Sequence, residues 1–205
     1  MDSLISWISI VSTFSVLAPL FLLLKNFKNY EFEIKALALY LLTGFLMDVA
    51  SWYTYSTNNS EILNFLHHSY DLFEAVFLSW FLGRVSPYPR IKSLYNWLWT
   101  VLLPLWLLRF YSPEWMGRFK IFSQVLIAFS SCFFILKMVE KTPDVSRNLM
   151  VWILLGIFFY CFCTYFILGT LVFVVAKAWF SHNLVNITTN LIYFIGVIRA
   201  KKTVS

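Results

Sequence analysis

Charge is what this chain has least of. Only 13% of its 205 residues are Asp, Glu, Lys or Arg, about half the share of a soluble domain, and this excludes a water-solvated globule. Six glycines and six prolines are scattered, with no Pro/Gly/Ser-rich linker or low-complexity run to divide the chain, so residues 1–205 are expected to form a single domain. Cys132, Cys161 and Cys163 lie in apolar stretches, which excludes a disulfide framework and a zinc finger. The net charge is +6, but the basic residues are dispersed rather than gathered in a stripe, so no nucleic-acid partner is expected.

What is present is apolar. Hydrophobic residues make up 60% of the chain and aromatics 20%, with a mean hydropathy of +0.73. Crossing a bilayer takes about 20 mainly apolar residues, and seven segments qualify: Leu4 to Leu24, Lys35 to Tyr55, Glu61 to Leu82, Ser93 to Phe110, Arg118 to Leu136, Asn148 to Val175 and Ala178 to Ile198. The fold class expected is an all-α integral membrane protein, a seven-helix transmembrane bundle. The first segment follows Asp2 and precedes its lysines, the reverse of a signal peptide's charge order, and reads as a spanning helix.

The connecting loops indicate orientation. Lys25, Lys28 and Lys35 follow helix 1, Arg84, Arg90 and Lys92 follow helix 3, Lys137, Lys141 and Arg147 follow helix 5, and Arg199, Lys201 and Lys202 follow helix 7. Opposite ends carry less, with Arg118 and Lys120 the main dissent. The positive-inside rule then predicts the N-terminus outside and the C-terminus cytoplasmic, in the plasma membrane. Trp7, Trp52, Tyr53, Tyr55, Trp115 and Trp179 near the outer ends read as an interfacial aromatic belt.

A constant shift along the chain lays Gly44 on Gly156 and Tyr53 on Tyr165, matching helices 1 and 2 with 5 and 6; a slightly larger one lays His68 on His182. This predicts a parallel 3+1+3 internal repeat. The layout resembles the architecture of SWEET-type sugar transporters, PnuC-type vitamin transporters and, more loosely, microbial rhodopsins, in helix count, orientation and repeat but in no family motif. A SWEET-like carrier implies prolines in helices 1, 2, 5 and 6, where only Pro19 is found. A rhodopsin-like chain implies a lysine midway along helix 7, and none precedes Lys201, so no retinal is expected.

Polar residues within the spans point to a site. At about 100° per residue, Asn64, His67, His68, Asp71 and Glu74 form one stripe on helix 3, and His182, Asn183, Asn186, Thr189, Asn190 and Tyr193 form another on helix 7. Helix 2 adds Asp48, and helix 6 adds the hydroxyls of Tyr160 and Thr164. Ionisable groups in a membrane cost at least about 2.5 kcal/mol each and usually face the bundle interior. An outward-facing polar cavity is expected, lined by Asp48, His68, Asp71, Glu74, Tyr160, Thr164, His182, Asn186, Asn190 and Tyr193, with Glu74 and Asn190 as its floor.

Such a cavity suits a small polar molecule, an ion or a proton, because imidazole beside carboxylate changes charge near neutral pH. The loops are too short for a soluble catalytic domain, so the leading expectation is a sensor or receptor-like module signalling through a partner membrane protein; a small-solute or proton-coupled transporter comes second. A zinc hydrolase comes third, with His68, His182 and either Asp71 or Asp48 as ligands and Glu74 as general base; H-E-x-x-H is absent, and the amides beside His182 are poor zinc ligands. Paired imidazoles from His67 or His68 and His182 could hold haem, and Ser51, Ser69 and Ser181 near the polar level allow a weaker nucleophile reading. Binding is therefore favoured over catalysis, with zinc the one cofactor left open.

Overall fold

The computed structural model describes residues 2–57, 59–86, 88–110, 114–141, 144–170 and 175–201. Among the described residues there are eight α-helices, a few short 3-10 turns and no strand: α1 (Asp2–Ser15), α2 (Leu17–Lys25), α3 (Phe32–Ser56), α4 (Ser60–Val85), α5 (Pro89–Leu107), α6 (Glu114–Lys141), α7 (Leu149–Thr170) and α8 (Val175–Lys201). Each apolar segment falls on helix, with corrections. The first is two helices, broken at Val16 because Pro19 cannot donate to the carbonyl of Ser15 and its ring crowds that carbonyl. The fourth starts early, since Pro89 is well placed at a helix start, and tightens to a 3-10 turn over Leu108–Phe110. α7 ends at Thr170, and 171–174, with Lys202, lie outside the described residues.

Four stretches are long and apolar enough to cross a membrane: Trp7–Lys25, Phe32–Ser56, Arg118–Lys141 and Leu149–Gly169. Phe21, Leu39, Leu46, Phe129, Leu136 and Leu191 are exposed on the outer surface, an apolar exterior that suits lipid rather than water. α4 and α8 are as long, at 26 and 27 residues, but the histidines, carboxylates and amides along them lower their hydropathy.

The helices pack in chain order around a ring: α1 and α2 against α3 and α8, α3 against α4, α4 against α6, α6 against α7, and α7 against α8, with α5 outside against α4 and α6. Polar pairs reveal direction. Asn183 Nδ2 donates to Ser9 Oγ at 3.1 Å and Asn190 Nδ2 to Ser15 Oγ at 2.8 Å, numbers that rise together, so α1 and α8 run parallel. α3 and α4 run antiparallel, as Tyr40–Glu74 and Ser51–His67 contacts require.

One half of the ring is filled by apolar side chains: Leu20, Leu23, Ile34, Leu37, Phe81, Leu82, Ile153 and Leu154 belong to one buried cluster. α7 and α8 pack tightly at two glycines. A Cβ on Gly156 would stand 2.3 Å from the Tyr193 ring, and one on Gly196 would stand 2.4 Å from Trp152 Cβ, so only glycine admits these aromatics at the crossing. Gly196→Ala is expected to lower stability by about 1–3 kcal/mol through overpacking. Gly169→Ala, with nothing within 4 Å of the added methyl, should not. Thermal unfolding of the two detergent-purified variants checks the contrast.

Candidate functional site

The other half of the ring encloses a cavity of about 400 Å³, at the C-terminal ends of α3 and α7 and the N-terminal ends of α4 and α8. His67, His68, Asp71 and Glu74 reach it from α4, and His182, Asn183, Asn186, Thr189, Asn190 and Tyr193 from α8, because three- and four-residue spacing keeps them on one helix face. All three histidines of the chain therefore share one space. α3 contributes Tyr40, Gly44, Asp48, Ser51 and Trp52, and α7 contributes Ile157 and Tyr160.

Two carboxylates are held tightly. Glu74 is 2% exposed; its Oε1 accepts from the Tyr40 hydroxyl at 2.9 Å and its Oε2 from Gln124 Nε2 at 3.1 Å. One turn above, Asp71 Oδ1 accepts from Lys120 Nζ at 2.7 Å. Asp71 and Glu74 face Lys120 and Gln124 in the same order, so α4 and α6 run parallel and their polar rungs form a short ladder. Asp48 differs: it is exposed on the wall, and its hydrogen bond is a long one from Thr13 Oγ1 at 3.3 Å.

Of the site residues predicted from sequence, Asp48, His68, Asp71, Glu74, Tyr160, His182, Asn186, Asn190 and Tyr193 stand on this wall. Thr164 does not: it is 1% exposed and sits within the helix packing. Asn64, at the start of the α4 stripe, is exposed and off the wall. The His182 and Tyr160 rings meet at 6.2 Å.

The sequence reading missed Lys120, set down as a loop charge, although Lys120 and Gln124 share a face at four-residue spacing. It also missed α1, where Ser9, Ser12 and Thr13 line the cavity at spacing that itself signals a polar face. Trp52 and Trp179, read as belt aromatics, are exposed as a belt requires and also line the cavity.

The catalytic arrangements find less. His68, Asp71 and His182 line the same cavity, but among the described residues no three His, Cys, Asp or Glu side chains are grouped to hold a metal, and Asp71 is engaged by Lys120. Ser51 Oγ stands 3.2 Å from His67 Nε2, and no carboxylate hydrogen-bonds that histidine among the described residues. The chain matches no family model, no curated protein and no solved structure.

The ladder sets a stability test. Lys120→Met leaves Asp71 charged and unpaired in a site where its side chain is only 15% exposed, and is expected to lower stability by about 3 kcal/mol. Adding Asp71→Leu should recover most of that loss, because a packed apolar pair needs no compensation. Unfolding of the two singles and the double gives the coupling.

Proposed function

We propose that the chain is a seven-span membrane protein, N-terminus outside and C-terminus cytoplasmic, that binds a small polar ligand, ion or proton in a cavity open to the outer side and acts as a sensor or receptor-like module. The observation that carries this is the division of the bundle across its length. A polar cavity occupies one half, and a dry apolar plug closes the other, from Leu41 through Leu37 to Ile34 along α3. Those positions span about 10 Å at about 1.5 Å per residue.

Orientation draws support from Lys120. Paired with Asp71 inside the bundle, it leaves the count of outer loop charges, and the positive-inside argument loses half of its dissent. The plug lies on the side of the lysine- and arginine-rich loops, so the cavity faces outward. The ring order also suits a duplicated three-helix unit: the parallel α4–α6 and α8–α1 seams occupy equivalent places, with α5 as the linking helix outside.

A sealed floor favours sensing over passage, since a ligand can enter, bias the packing around Glu74 and leave by the same mouth. Short connecting loops place the readout in a partner membrane protein. The break between α1 and α2 beside the Ser15–Asn190 bond favours a carrier as second reading, because a broken helix is where a bundle can bend.

Single cysteines in a background with Cys132, Cys161 and Cys163 replaced by serine test this. A membrane-impermeant thiol reagent on intact cells is expected to label Asn186→Cys, to label Arg90→Cys only after permeabilisation, and to label Ile153→Cys only after unfolding. Arg90→Cys labelling on intact cells with Asn186→Cys protected would overturn the orientation. Solute flux through reconstituted protein would replace the sensor with the carrier.

A further inference from the structure

We infer that the cavity takes a small organic cation, whose ammonium group binds Asp48, whose body lies against the aromatic wall, and whose second polar group meets Thr189. This rests on the reading of the space as a binding cavity and names the chemical class of its ligand.

Charge accounting comes first. Three carboxylates and one lysine line the cavity. Lys120 neutralises Asp71 at 2.7 Å, and Glu74 is satisfied by the Tyr40 and Gln124 donors. Asp48 has neither arrangement: no ion pair reaches it among the described residues, and Thr13 offers one contact of 3.3 Å. A carboxylate in a membrane bundle is costly without a cation, and the protein supplies its other wall aspartate with one. An ammonium group on the ligand would supply Asp48 with the partner that Lys120 supplies to Asp71.

Size and lining decide between kinds of cation. A bare metal ion needs several ligands at about 2–2.6 Å, and no such group stands among the described residues. About 400 Å³ lies within the range of small-molecule pockets. Trp52, one turn beyond Asp48 on α3, lines the space with Trp179, Tyr70 and Tyr160, and aromatic faces attract organic ammonium groups.

An independent observation comes from α8. Thr189 is 6% exposed, lines the cavity, and its Oγ1 has no hydrogen-bond partner among the described residues. A buried hydroxyl left unmade costs about 1–3 kcal/mol, which a ligand with a hydroxyl, amide or carbonyl removes. A proton on Asp48 would quench its charge yet leave both Thr189 and the cavity volume unanswered.

The test is binding to the full-length protein in detergent or nanodiscs, by calorimetry and thermal shift. The probes are butylammonium, choline and phenethylammonium, each set against its uncharged carbon isostere. The cations are expected to bind at least about tenfold more tightly than their isosteres, as charge-assisted contacts to a carboxylate do. Asp48→Asn should erase that preference, Asp48→Glu should keep it, and Thr189→Val should weaken choline about fivefold without erasing it. Isosteres that bind as well as the cations, insensitively to Asp48→Asn but lost in His182→Ala, would overturn the cation assignment and leave the cavity reading standing. If no probe binds and Asn186→Cys is inaccessible to the thiol reagent, both fail.

Discussion

The rest of the bundle depends on the ladder between α4 and α6. α4 carries Asp71 and Glu74 through an otherwise apolar assembly, and each such group costs about 2.5–3.5 kcal/mol at mid-membrane depth unless it is matched. Lys120 and Gln124, one turn apart on α6, meet the two carboxylates in order, and Tyr40 closes Glu74 from α3. Three helices are thus tied at one level. Their relative rotation follows, because turning any one of them would separate a carboxylate from its donor.

With α4 and α6 in direct contact, α5 is displaced to the outside of the ring and the remaining helices can close. The closing seam is α1 against α8, where two amide-to-hydroxyl bonds from Asn183 and Asn190 replace the ionic rungs. Such bonds average about 0.6 kcal/mol in membrane bundles, so this seam is held more weakly than the ladder. It also lies beside the break at Val16.

Polar cavity and apolar plug are consequences of the same side-chain economy. Large residues such as Phe81, Leu37 and Ile153 interdigitate in one half, while the other half is lined by serine, threonine, asparagine and histidine, whose hydrogen-bonding groups resist dry packing. Glu74 sits at the boundary.

By itself the sequence determined what local geometry can determine. Helix positions follow from runs of apolar residues, and the stripes on α4 and α8 follow from a fixed angle per residue, which is why His68, Asp71, Glu74, His182, Asn186, Asn190 and Tyr193 stand on one wall. Partnership was not legible. Whether Asp71 meets a histidine or Lys120, whether Thr164 turns to the cavity or the packing, and whether the serines of α1 join the wall depend on how neighbouring helices are rotated and slid against one another. Those rotations are set by contacts between residues far apart in the chain, such as Tyr40 with Glu74 and Asn183 with Ser9. Only the tertiary structure could decide that Asp48 faces the cavity with Thr13 beside it and no ion pair among the described residues.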